Sequence, residues 1–351
     1  MFWNRLMPRR IFPGAALACT LLFLPQAHGA SCTTQAQMTQ AQRDPLVNAA
    51  RAILTEVQNG DLQGLRANTL PAIAADFNGI EQTVNYLHPL IQSAVLTVDA
   101  VYLLDASMDP PNAPTTDFYC GSPVVGFNFS NLPQGTYAAA ILHATGVPQP
   151  QQVTLILAQA PGNKWQLAGF FEKPMVLAGH DGVWYWQNAR NYAKQNADWG
   201  AYFYYHIANY LLDPVNFIAS QNLEKLHDET NQVHANLPAN NLPITIDAHG
   251  TLFRVTSVDT TTALGPLDLE VHYAPDSSQA AQLRSPPMAR RQVAALMAGI
   301  LAEHPELQNA FHGMWLHADQ GGASLFALEL PMSAGAAGAT PPDGAGAAQP
   351  Q

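Results

Sequence analysis

Hydrophobic positions change their period several times along this chain, and the changes divide it. Between residues 45 and 90 they recur at helical spacing. Val47, Ala50, Ile53 and Leu54 share one face, and after Pro71 so do Ile73, Phe77, Ile80, Val84 and Leu87. Asn59-Gly60 marks the end of the first helix. From residue 94 the period shortens. Residues 94–105 (AVLTVDAVYLLD) are β-branched and apolar, and residues 118–129, 136–146 and 151–159 continue as strand-like runs. Pro161-Gly162-Asn163 then predicts a hairpin turn into a strand over 165–171.

Helical spacing returns over residues 181–229, where the apolar positions are largely aromatic. Trp184, Tyr185, Trp186, Tyr192, Trp199, Tyr202, Phe203, Tyr204, Tyr205 and Tyr210 fall here, in a chain that is 9% aromatic overall. Ala201, Tyr205, Ala208 and Leu212 line one face, Trp199, Phe203, His206 and Tyr210 a second. Tyr185, Ala189 and Tyr192 line one side of the preceding helix. Small residues facing large ones let two helices approach closely, so a helical hairpin is predicted, with Tyr205 and Ala208 buried. Asp181 is placed to cap its first helix.

Strict alternation takes over after residue 242. Residues 242–262 read as a hairpin around Ala248-His249-Gly250. Leu267, Leu269, Val271 and Tyr273 face one way, Asp268, Glu270 and His272 the other. Ser285-Pro286-Pro287 opens a helix, with the serine placed as its cap, whose stripe is Val293, Leu296, Met297, Ile300 and Leu301. Two further strands follow over 312–318 and 323–330. The predicted class is α+β: a curved antiparallel sheet with helices over 42–178, a central helical hairpin over 181–230 and a linker over 231–241. A second small α+β domain spans 242–332, with one helix on an antiparallel sheet. The Ala-, Gly- and Pro-rich residues 333–351 read as a disordered tail.

Helices followed by a meander of long strands, closed by residues 165–174 (WQLAGFFEKP), resemble the NTF2-like and cystatin-like α+β folds. That resemblance implies a sheet curled into a cone. Enzymes of such folds keep an Asp–His or Tyr–Asp pair inside it, which nominates Asp99, Tyr102, Asp105 and His143. Tyr185, Ala189, Tyr192, Ala201, Tyr205 and Ala208 resemble the aromatic and alanine positions of a tetratricopeptide hairpin, with Pro214 displaced by one. A lone repeat cannot bury its own face, so this hairpin is expected to dock on its neighbours. The layout as a whole resembles exported bacterial proteins of unknown function, which implies no activity.

Composition adds compartment and partners. Arg5, Arg9 and Arg10 precede an apolar run over 14–24, and the small residues Ala27, Gly29 and Ala30 follow it. This is the order of a signal peptide over residues 1–30, too short to span a membrane, and it predicts a periplasmic or secreted protein beginning near Ser31. No later run reads as a transmembrane segment. Arg9-Arg10-Ile11-Phe12 resembles the twin-arginine export motif, while Pro8 and Pro13 fit ordinary unfolded export better. Of the 3 cysteines, Cys19 leaves with this segment. Cys32 and Cys120 are expected to form a disulfide in an oxidising compartment. The alternative is a lipid anchor at Cys32, since Gly29-Ala30-Ser31-Cys32 resembles a lipoprotein box, with Cys120 free and buried. Losing three arginines and no acid would take the net charge from −11 to −14. So acidic a chain argues against nucleic acid as a partner.

The chain carries no GxSxG, P-loop, GxGxxG, SxxK, HExxH or paired-cysteine motif, and no cofactor is expected. Arg254, Asp268, Glu270, His272, Trp315, His317 and Glu329 share the outer face of the last sheet. Their spacing is no metal signature, so no metal is expected and that face reads as solvated or domain-facing. The remaining candidate is the junction Gly179-His180-Asp181-Gly182, expected to form a cleft where the first domain meets the hairpin. Trp184 and Trp186 would be its apolar wall and His180 its one group titrating near neutrality, with His206 named beside them as a ligand-binding candidate. The function expected is an exported, non-catalytic binding or assembly protein with a small-molecule, glycan or protein partner. The alternative is an exported hydrolase acting on envelope or environmental polymers. Rings that stack on sugar faces, at Trp184, Trp186, Trp199 and Tyr202, would serve either.

Overall fold

The computed structural model describes residues 29–121, 124–234 and 242–336. The expected signal peptide up to residue 28, linker residues 235–241 and tail residues 337–351 lie outside the described residues. A short strand, β1 (Ser31–Thr34), leads into α1 (Gln40–Asn59), α2 (Leu62–Ala67), α3 (Pro71–Ala74) and α4 (Asn78–Ile91). Gly60 ends α1 at φ 68°, a left-handed conformation that glycine adopts without strain.

Six strands follow: β2 (Val95–Asp105), β3 (Thr115–Cys120), β4 (Val125–Ser130), β5 (Thr136–Thr145), β6 (Gln151–Ala160) and β7 (Lys164–Pro174). Five strands make an antiparallel sheet in the order β1-β2-β5-β6-β7. The hairpin β3–β4 leaves this meander. The sheet buries one face against α1 and α4 through Val101, Ala140, Leu142, Val153 and Leu155. Its other face, with Leu104, Ala139 and Ile156, packs on Phe118 and Phe127 of the hairpin. Burial on both faces explains why residues 153–158 of β6 are almost continuously apolar.

The chain then makes the two-residue ladder β8 (Val176–Leu177) and β9 (His180–Asp181), followed by α5 (Gly182–Lys194) and α6 (Asp198–Leu212). A further strand, β10 (Ile218–Ser220), pairs with β4 to complete a small sheet, β10-β4-β3. Next, α7 (Gln221–His234) packs on α6, so a third helix joins the expected hairpin.

The last unit contains β11 (Ile244–Ala248), β12 (Thr251–Thr261), β13 (Asp268–Ala274), α8 (Ser277–Gln282), α9 (Pro286–Glu303), α10 (Leu307–Ala310), β14 (Gly313–Gln320), β15 (Ala323–Pro331) and α11 (Met332–Ala336). Its strand order is β11-β12-β13-β14-β15. One pair departs from the expected antiparallel pattern. β13 and β14 run parallel, because α8, α9 and α10 carry the chain back across the sheet between them. Ser285 precedes α9 as expected, but its side chain makes no capping bond. Leu269, Val271 and Tyr273 are buried in one core with Val293, Leu296, Met297 and Ile300 of α9. A Cβ at Gly299 would stand 2.9 Å from Ile246, so α9 lies tight on β11. Asp268, Glu270 and His272 are thereby turned to the outer face.

The α5–α6 hairpin shares this last core. Tyr204 donates to the Ala310 carbonyl at 2.7 Å, and Trp199 stacks on His304 at 4.1 Å. Cys32 and Cys120 form a disulfide that joins β1 to β3, with Cα atoms 5.1 Å apart across 88 residues of sequence. A bridged Cys32 has no thiol left to carry a lipid. No described helix is long and apolar enough to cross a membrane.

Candidate functional site

The turn into α5 builds the first half of the site. Asp181 caps the helix, accepting from the Trp184 backbone N–H at 2.7 Å. A Cβ at Gly182 would stand 2.5 Å from Leu212, so only glycine lets α5 start this close to the end of α6. Fixed in this way, the His180 ring lies flat on Trp184, 3.7 Å between centroids and 8° between planes. Tyr185 and Tyr204 meet Trp184 at 5.0 and 5.8 Å and hold it from behind. His180 itself is exposed.

Facing this stack is a cleft of about 610 Å³, closed on the far side by Pro266, Leu267, Asn309, Phe311 and His312. The junction cleft therefore lies between the hairpin and the C-terminal domain. The expected position, between the hairpin and the first domain, is not where it opens, because α6 docks on α10 and the loop that follows. His312 is 56% exposed, and its Nδ1 sits 3.2 Å from Asp268 Oδ1, on a side chain only 1% exposed. Glu329 Oε1 is 3.9 Å from the same nitrogen. Gly313 makes room for both carboxylates, since a Cβ there would overlap Glu329 and stand 3.0 Å from Asp268. Burial, and then the neighbouring Asp268 charge, pushes the Glu329 carboxyl above its ordinary pKa. A buried carboxylate orienting an exposed imidazole sets up a hydrogen-bonding group or a general base.

No protein-family model, curated protein or solved structure matches this chain. Geometry alone ranks the candidates.

Of the four residues nominated from sequence, His180 and Trp184 share the cleft. His206 is exposed in a neighbouring cleft of about 390 Å³, with Tyr210, Asp259, Thr260 and Leu267, and its ring meets Tyr202 at 4.2 Å. Leu267 lines both clefts. Trp186 points elsewhere. Its indole N–H donates to Glu229 at 2.7 Å while Arg190 lies over its ring at 4.2 Å. It therefore acts between helices, because residues two apart on a helix do not face the same way. His312 was not among the nominated residues, since it reads only as the start of a strand. Its partner Asp268 is 44 residues away, and only the β13–β14 pairing joins them.

The residues nominated for the first domain are spread out. His143 meets Gln152 at 3.3 Å, and Asp105 accepts from the Ser107 N–H at 2.9 Å. Tyr102 packs on Phe127 at 5.1 Å and shares a cleft with Asp99, the residue bulged from β2. Among the described residues, two groups of ligating atoms converge within 4.8 Å, both on the outer face of the C-terminal sheet. One is Asp268, His312 and Glu329, and the other is Glu270, His272 and His317.

Proposed function

We propose that this chain is an exported, non-catalytic binding protein that holds a ligand in the cleft between the α5–α6 hairpin and the C-terminal domain. The observation that carries this reading is the His180–Trp184 stack, in which the exposed His180 ring lies flat on half-buried Trp184 and both line a cleft with His312. A platform of this kind fits the C–H face of a sugar ring, while Asn309 and His312 supply donors and acceptors for hydroxyls at the rim. Export to the periplasm or the medium is supported by the charged, apolar and small-residue order of the first 30 residues and by the disulfide. An NTF2-like or cystatin-like origin for residues 42–178 is supported by helices preceding a long-stranded sheet.

Titration with oligosaccharides and cell-wall fragments, followed by tryptophan fluorescence, tests the reading. The wild type should respond saturably, and Trp184→Ala and His180→Ala should abolish the response. A silent wild type, or an equal response in both variants, removes the site. One observation favours the hydrolase alternative: buried Asp268 lies 3.2 Å from Nδ1 of His312, an imidazole that lines the cleft, which is the pairing of an oriented general base. Reducing ends released by the wild type and not by His312→Ala would select that reading over simple binding.

A further inference from the structure

We propose that the outer face of the C-terminal sheet carries a site for one divalent transition-metal ion of the zinc class. Its ligands are Glu270, His272 and His317, and Asp319 orients His272. The site arises from strand geometry. Alternation along β13 turns Glu270 and His272 to the same side. Parallel pairing then sets His317 of β14 directly opposite His272, and the two rings stack at 4.4 Å and 14°.

The distances are those of a coordination shell. Glu270 Oε1 lies 3.2 Å from His272 Nε2 and 3.3 Å from His317 Nε2. Ligands about 2.0–2.1 Å from a tetrahedral zinc ion stand about 3.3 Å from one another. His317 Nε2 is buried and makes no hydrogen bond, although a carboxylate oxygen is beside it. A cation between the two groups would satisfy both.

Asp319 supplies the outer contact. Its Oδ2 is 2.6 Å from His272 Nδ1, which keeps the proton on that nitrogen and turns the Nε2 lone pair toward Glu270 and His317. Two imidazoles with one carboxylate suit zinc, cobalt, nickel or copper, whereas calcium and magnesium prefer oxygen alone. Glu270 and His272 keep 26% and 30% of their side-chain surface exposed, so a fourth position faces solvent. The neighbouring Asp268, His312 and Glu329 offer one imidazole, and that imidazole, His312, lines the cleft. Without a metal, the His272 ring bridges Asp319 and Glu270 through its two nitrogens, and experiment separates that arrangement from a metal-bound one.

The test uses the untagged full chain, stripped of metal with a chelator and titrated with Co²⁺, then with Zn²⁺. The wild type should develop the visible bands of tetrahedral cobalt with one saturable equivalent that zinc displaces. Trp315, whose ring is 4.7 Å from His317, should be quenched in step. His317→Ala and His272→Ala should weaken that equivalent at least 100-fold, and Asp319→Asn about 10- to 100-fold. His312→Ala should retain it. Circular dichroism checks the folding of each variant, and Glu270→Gln replaces any that fails. A wild type with no saturable cobalt spectrum at micromolar protein overturns the site, as does a spectrum unchanged in the ligand variants. The cleft-binding result stands apart from either outcome, since His180 and Trp184 take no part here.

Discussion

One carboxylate, Glu229, holds three helices together. It accepts from Trp186 Nε1 at 2.7 Å, from Arg190 Nε and Nη2 at 2.7 and 2.8 Å, and from the Tyr205 hydroxyl at 3.3 Å. Burial pushes its pKa up, but the hydrogen bonds from Arg190 and Trp186 outweigh burial and hold it below the ordinary value. A group with a depressed folded-state pKa contributes stability above its unfolded pKa and loses it as pH falls through the folded one. Glu229→Gln should therefore lower the melting temperature at neutral pH, and the gap to wild type should close in acid. A gap that is constant from neutral to strongly acid pH would show that the carboxylate charge is not what holds the helices. The sequence reads Trp186 as a wall of the junction cleft, whereas its partner lies 43 residues on in α7. Sequence spacing reports faces. The groups that meet across them depend on packing.

At the scale of elements, spacing was informative. Tyr205 and Ala208 are 3% and 0% exposed, as the alternation of large and small residues along α6 required. Tyr205→Ala should cost roughly 3–5 kcal/mol, as other large aromatic deletions do. Ala208→Trp should destabilise by overpacking. Urea unfolding measures both, and midpoints equal to the parent's would show that this face is not packed. What spacing hid was direction. The run over 267–273 reads as one strand of an antiparallel sheet, yet the helices after it return the chain so that β14 runs parallel to β13. Both convergent clusters on the outer face depend on that reversal. Asp268 with His312, and His272 with His317, are partners only in the parallel arrangement.

At the scale of the molecule, three apolar clusters divide the described residues, and the third was the least legible. Residues 118–129 read as one more strand of the meander. They contain most of a separate hairpin that crosses to the sheet's other face, where Phe118 and Phe127 bury. The disulfide anchors this hairpin to β1. Closing an 88-residue loop restricts the unfolded chain, and its reduction should cost on the order of 4 kcal/mol. Denaturant midpoints with and without reductant measure that loss, and equal midpoints would show that the bridge does not restrain unfolding.

The small sheet has a consequence for how the protein is made. Its third strand, β10, lies beyond α5 and α6, and Phe217 next to it packs on Phe129 at 4.9 Å and on Phe171 at 5.3 Å. A growing chain that has reached the end of β7 has all the strands of its first large sheet, yet Phe127 and Phe129 still lack part of their cover. That cover arrives only when the segment past the hairpin has been synthesised. In the interval, the aromatic patch of the small sheet stays open. The N-terminal half therefore waits for the middle of the chain before it can close.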